Sequence, residues 1–156
     1  MKKRGLLFII IAITLSCSTI DNIFNKSNGP TYKQVNERDV PERYIKDLKS
    51  KRPKLTQIKW EKIDSLTYNA KFMDNGNNMR VKYSNTGTET HWIVPMEYIP
   101  SNITDHIKAN YKEYKTHEVY IADIRNKKVY RAGIYNKNDY KVLEYDLMGN
   151  FSSEAK

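Results

Sequence analysis

Cysteine is nearly absent from this sequence, and so are the patterns on which many active sites are built. Cys17 is the only cysteine among 156 residues, which excludes an intramolecular disulfide and a cysteine-based zinc site. The six glycines form no loop that could cradle a phosphate. No Ser/His/Asp order and no nucleophile elbow is present. We therefore predict a protein that is not an enzyme and that uses no cofactor.

The sequence has few candidate metal ligands. Its three histidines, His91, His106 and His117, have no second histidine or carboxylate at a recognised metal-binding spacing. We interpret all three as surface residues and predict no metal site.

An apolar run long enough to span a bilayer, which takes about 20 residues, is also missing. The longest run, residues 6–15, follows three basic residues and has the length of a signal-peptide core. It leads into Thr14-Leu15-Ser16-Cys17, which resembles the lipobox of bacterial lipoproteins. The resemblance implies cleavage before Cys17 and acylation of Cys17. The alternative is an ordinary secretory signal with an incidental cysteine.

The residues after the cysteine are mostly polar, which is typical of a flexible tether. We predict a lipoprotein signal peptide at residues 1–16 and a tether at residues 17–36. The protein is then expected in the cell envelope, lipid-anchored, in the periplasm or at the outer membrane. Export makes nucleic acid an unsuitable partner, despite the formal net charge of +9. The dispersed lysines indicate either a solvated basic surface or a surface for anionic polymers or lipid headgroups.

A hairpin pattern occurs twice in the chain, at residues 68–87 and 130–149, and each copy reads strand, polar turn, strand, glycine turn. Twelve tyrosines also favour sheet, since tyrosine suits half-buried strands. An apolar stripe at helical spacing precedes each copy. We predict an α+β fold of two tandem repeats, at residues 37–96 and 97–156. Each repeat is expected to pack one helix on an antiparallel sheet of about four strands.

Several short patterns occur in one order: Val-Pro opening a helix, the strand Lys59-Trp60-Glu61, a Tyr-x-Ala-x-Phe strand at residues 68–72 and the turn Asp74-Asn75-Gly76. This order resembles the PepSY-like, beta-lactamase-inhibitor-like domain family of exported Bacteroidetes lipoproteins. The second repeat departs from the pattern, having Glu118-Val119-Tyr120 in place of the Lys-Trp-Glu strand. The resemblance implies tandem helix-plus-sheet units, either separate or joined into one larger concave sheet. It also implies export and a binding or inhibitory role, and no catalytic residues.

One face of each predicted sheet is left without a helix. Strand alternation places basic and aromatic side chains on it: Lys71, Arg80, Lys82, Tyr120, Arg131, Tyr135 and Tyr140. Aromatic residues and arginine on an exposed sheet are typical of binding surfaces. The alternative is cross-strand pairing that only stabilises the sheet.

We accordingly predict a cell-envelope lipoprotein that acts as a non-catalytic binding module through its exposed sheet face. Its partner would be a protein, a peptide or an envelope polymer, with the membrane contacted through the lipid. The alternative is an inhibitor or regulator of an envelope peptidase or other hydrolase. Ser65, in the turn Asp64-Ser65-Leu66, is a candidate O-glycosylation site because this triplet resembles the acceptor of exported Bacteroidetes proteins.

Overall fold

Nine antiparallel strands form one continuous sheet in the computed structural model, which describes residues 30–155. The strands are β1 (Lys33–Val35), β2 (Lys59–Lys62), β3 (Tyr68–Asp74), β4 (Asn77–Ser84), β5 (Gly87–Val94), β6 (Lys115–Ile124), β7 (Lys127–Tyr135), β8 (Tyr140–Tyr145) and β9 (Phe151–Ala155). Each strand pairs with the next one along the chain. The helices are α1 (Glu42–Lys51) and α2 (Ser101–Asn110), with 3₁₀ turns at Glu37–Asp39 and Met96–Tyr98.

The prediction of two tandem helix-and-sheet repeats is wrong, because the two halves share a single sheet. β5 pairs with β6 from Thr90 opposite Asp123 to Val94 opposite Val119. Two separate sheets would each have left an edge here with unpaired backbone N–H and C=O groups. Joining them satisfies both edges, so the protein belongs to a mostly sheet class.

Both helices lie on the same face of the sheet and bury two apolar cores there. Each helix follows a proline, Pro41 or Pro100, whose fixed φ suits a helix start. α1 packs Tyr44 and Leu48 on a core made by β2, β3 and β4. α2 packs Ile103 and Ile107 on a core made by β6, β7 and β8. We call the opposite face, which no described helix covers, the helix-free face.

The alternation of apolar and polar residues along the strands predicts a core that contains Leu66 and several aromatic residues. The aromatic residues at these positions are buried: Trp60, Tyr68, Phe72, Tyr83 and Tyr145. Leu66 is instead 51% exposed. It precedes β3 in a turn that the Asp64 carboxylate holds by accepting the N–H groups of Leu66 and Thr67. The turn therefore directs Leu66 away from the core.

The predicted signal peptide, residues 1–16, and the lipidation site Cys17 lie outside the described residues. Of the predicted tether, residues 17–36, the part from Pro30 onward is described and contains β1. No helix within residues 30–155 has the length and apolarity needed to cross a membrane.

Candidate functional site

Alternate residues of β2 to β8 point to the helix-free face and line a groove with a volume of about 590 Å³. The cross-strand register sets the order of the side chains along it. Glu61 lies opposite Asn69, and Asn69 lies opposite Lys82. Lys71 lies opposite Arg80, and Arg80 lies opposite His91, which continues this polar surface across β5. These residues give the groove a polar floor with charged groups of both signs, and apolar side chains such as Ile63, Ile93 and Val142 complete the lining.

Arg80 forms the floor of the groove and is only 7% exposed. One of its terminal nitrogens lies 2.8 Å from Glu118 Oε1. Its Nε donates to His91 Nδ1 at 3.0 Å, and the guanidinium lies 4.8 Å from the centre of the Tyr120 ring. A buried cation needs this kind of pairing, because removing it from water is otherwise costly.

A second chain of polar contacts runs from His91 towards β8. His91 Nε2 lies 3.0 Å from Glu89 Oε2, which also accepts a hydrogen bond from Arg131 at 3.2 Å. Arg131 donates through Nε and Nη2 to Glu144 at 3.2 and 3.1 Å. The floor of the groove is thus one connected network drawn from β4 to β8.

The contacts of His91 determine its tautomer and its charge. Because arginine can only donate, Nδ1 must accept, and the ring hydrogen lies on Nε2 and points to Glu89. Burial lowers the pKa of His91 to about 4, with the Arg80 charge acting in the same direction. The hydrogen bond from His91 is the main cause that lowers the pKa of Glu89 to about 2. His91 is therefore neutral and Glu89 ionised at neutral pH.

The interpretation of His91 as a surface residue is wrong, since it is 2% exposed. Its ring lies 4.5 Å from that of Tyr120, so side chains from neighbouring strands cover it.

One wall of the groove is aromatic. The His117 ring contacts the rings of Tyr135 and Tyr140 edge-on, at 6.4 and 6.0 Å between centroids. Tyr140 lies over Gly133: a Cβ added to Gly133 would be 2.3 Å from the Tyr140 hydroxyl. Burial raises the pKa of the Tyr140 hydroxyl, so this phenol stays protonated. The missing side chain at Gly133 is what lets Tyr140 occupy this position.

Tyr32 reaches the groove from the stretch predicted as tether and was missed from the sequence. It is half-buried, and burial is the main cause that raises the pKa of its hydroxyl. Tyr32 lines the groove, and the charges of Arg80, Glu118 and Glu61 act on its hydroxyl. The residues around Tyr32 follow no strand or helix period, so its aromatic side chain is the only signal that the sequence gives.

Six of the seven residues predicted for the binding face line the groove: Lys71, Arg80, Lys82, Tyr120, Arg131 and Tyr140. Tyr135 lies beside them, opposite Tyr140. Several are committed to internal contacts, as in the ion pair between Lys71 and Glu61 at 2.7 Å. Ser65 is exposed in the turn between β2 and β3. Within residues 30–155 no cluster of three or more histidine, cysteine or acidic residues could hold a metal ion.

Two solved structures resemble this chain. One is a DUF2874 family protein from Bacteroides uniformis, with a TM-score of 0.54 and 15% identity over 74% of this chain and 88% of that one. The other is a BLIP-like protein from Bacteroides fragilis, with a TM-score of 0.51 and 21% identity over 74% and 86% of the two chains. No protein-family model matches the sequence, and no curated protein matches it significantly. The likeness shows a shared BLIP-like fold, while membership of the PepSY-like family stays a prediction.

Proposed function

We propose that this chain is a non-catalytic binding module of the cell envelope that holds a segment of a partner protein in the groove on its helix-free face. The observation that carries the proposal is the groove itself, whose floor is a hydrogen-bonded polar network and one of whose walls is aromatic. The network that connects Arg80, His91 and Arg131 fixes those side chains before any partner arrives. A preordered surface loses little conformational entropy on binding.

The dimensions of the groove favour an extended segment. From Glu61 on β2 to Tyr140 on β8 its lining crosses six strand spacings. At about 4.8 Å per spacing this is roughly 29 Å, the length of about nine extended residues. A segment of this length would contact the polar residues of β2 to β4 at one end and the aromatic wall at the other.

The binding partner can be sampled with random nine-residue peptides displayed on phage and selected against the purified full chain in detergent. Selected peptides are expected to bind the Gly133→Ala variant about tenfold more weakly than the unaltered chain, as measured by fluorescence polarisation. The reason is the new Cβ, which cannot coexist with the Tyr140 hydroxyl 2.3 Å away and displaces this ring from the wall.

The matched control adds Tyr140→Phe to Gly133→Ala. Phenylalanine lacks the hydroxyl that meets the new Cβ, and the ring carbon left 3.1 Å away needs to move by only a few tenths of an ångström, so part of the lost affinity should return. Peptides that bind all three proteins equally would show that the groove is not the binding site.

A second candidate function is inhibition of an envelope peptidase or other hydrolase. The observation that favours it is the fold shared with a protein described as BLIP-like. Both candidates need the groove, and they differ in the consequence of binding. Loss of activity of a co-exported hydrolase on addition of the chain, reversed by Gly133→Ala, would identify an inhibitor.

Lipid anchoring and modification belong to the same proposal. The motif ending at Cys17 predicts that a Cys17→Ser chain, exported in its native host, moves from the membrane to the soluble fraction. A variant that still sediments with membranes would contradict the anchor.

Ser65 is exposed, as a glycosylation site must be. If Ser65 is glycosylated, the chain has a mass above that of the polypeptide, and Ser65→Ala removes the excess. An unchanged mass would exclude it.

A further inference from the structure

Most charged side chains that line the groove already form ion pairs with one another or with neighbouring residues. Lys71 pairs with Glu61, Arg80 pairs with Glu118, and Arg131 pairs with Glu89 and Glu144. Two charged residues of the lining form no ion pair with any other described residue: Lys82 and Glu97. Glu97 is exposed in a 3₁₀ turn, where a partner charge contributes little. Lys82 is half-buried, so it is the charge whose pairing would matter most.

Lys82 lies among carboxylates that it does not neutralise. Glu89 is opposite it on β5 and is already held by His91 and Arg131. Asp64 lies in the turn before β3. The positive charge of Lys82 helps to lower the pKa of both the Asp64 and the Glu89 carboxyl groups. Neither Glu89 nor Asp64 forms an ion pair with Lys82. Because Lys82 lines the groove, its ammonium can donate hydrogen bonds to a ligand there.

Two buried acceptors lie beside this donor. Asn69 is directly opposite Lys82 on β3 and is 2% exposed, and its side-chain oxygen has no hydrogen-bond partner. Glu61 lies opposite Asn69 on β2, and its Oε2 likewise has no partner. Cross-strand neighbours of this kind are about 5 Å apart. Buried acceptors require a donor, because burial without one is unfavourable.

An acidic residue in an extended chain is the complement of this ammonium, because its side chain supplies the carboxylate that Lys82 lacks. The Asn69 and Glu61 oxygens are shielded from solvent, so the bound segment reaches Lys82 and not these two acceptors. We propose that the groove recognises its partner through an aspartate or glutamate side chain that pairs with Lys82. This inference rests on the proposed function and adds the chemical class of the bound segment.

The test uses the same phage-displayed nine-residue peptides and the full chain. Peptides selected on the unaltered chain should be enriched in aspartate and glutamate. Lys82→Gln, which keeps the length of the side chain and removes its charge, should weaken the best of them about tenfold. Lys82→Glu should invert the preference and select lysine and arginine. Lys108→Gln is the matched control, because it removes an exposed lysine from α2 on the other face and should change nothing.

The thermal unfolding of each variant is measured to separate lost binding from lost folding. Lys82 is half-buried, so its replacement should leave the sheet folded. Peptides that respond to Gly133→Ala but show no acidic enrichment, or that bind Lys82→Gln undiminished, would overturn this inference and leave the proposed function standing. Peptides indifferent to both variants would overturn both. Binding of an inorganic phosphate or a glycan in place of peptides would replace the acidic segment with a different ligand and so reject it.

Discussion

Replacing Glu118 with alanine is expected to lower the free energy of unfolding by about 3–5 kcal/mol, because the change leaves Arg80 charged and buried without its carboxylate. The Arg80 side chain is 9% exposed and that of Glu118 18%, and their 2.8 Å contact is little screened by solvent. Burial is the largest single influence and raises the pKa of Glu118, but the charge and the hydrogen bond of Arg80, with smaller contributions from His117 and Lys71, together hold the pKa below its usual value. The pair is therefore ionised in the native protein at neutral pH.

Urea unfolding followed by circular dichroism would measure the loss, and two further variants separate its causes. Arg80→Met combined with Glu118→Leu removes both charges together and is expected to cost less than Glu118→Ala alone, since no unpaired ion remains. Glu42→Ala removes a carboxylate from the exposed pair with Lys46 and should cost less than about 1 kcal/mol. Equal losses for Glu118→Ala and Glu42→Ala would contradict a buried, tightly coupled pair.

Local sequence patterns predicted the hairpins well, because a hairpin depends on residues that are close in the chain. The turn Asp74-Asn75-Gly76 was expected to tolerate positive φ, and Asn75 and Gly76 have φ values of 49° and 79°. β3 and β4 then pair from Tyr68 opposite Tyr83, so the apolar residues of both strands share a face. The alternation that places Tyr68 in the core also places Lys71 and Arg80 on the opposite face.

Contacts between distant segments could not be predicted in the same way. The pairing of β5 with β6 joins strands separated by a helix, and nothing in either strand distinguishes a joined edge from a free one. His91 was interpreted as a surface residue because no metal-binding spacing involves it, and nothing next to it in the sequence indicates burial. Its burial depends on Arg80 and Tyr120, which two other strands supply.

Gly133 lies between these two cases. An isolated glycine within a strand predicts a bulge or a close approach. The structure shows both: Tyr140 on the next strand approaches Gly133, and the register with β6 shifts between Thr116 and Glu118, opposite Gly133. The residue that needs the space is seven positions further on, and only the β7–β8 register brings the two together. The sequence could thus mark the position without identifying what fills it.

Acid is expected to destabilise the protein through His91. The pKa of His91 is about 4 in the native protein against an ordinary value of 6.5, so the unfolded chain binds a proton between these values that the native chain does not. The contribution of His91 is complete above pH 6.5 and is lost as the pH falls towards 4. The slope for one proton is about 1.4 kcal/mol per pH unit, so the total loss is about 3 kcal/mol.

His91→Gln isolates this contribution, because glutamine can still accept from Arg80 and donate to Glu89 but cannot titrate. His117 is also half-buried with a lowered pKa, and Glu89 loses its own contribution below its ordinary value of 4.5, so the unaltered chain alone would not separate these groups. We subtract the unfolding free energy of His91→Gln from that of the unaltered chain, both measured by urea unfolding. This difference should fall by about 3 kcal/mol from pH 7 to pH 4, because only the unaltered chain loses the contribution of His91. A difference that stays constant with pH would mean that the pKa of His91 is the same in the native and unfolded chains, and would contradict a His91 that burial and Arg80 keep neutral.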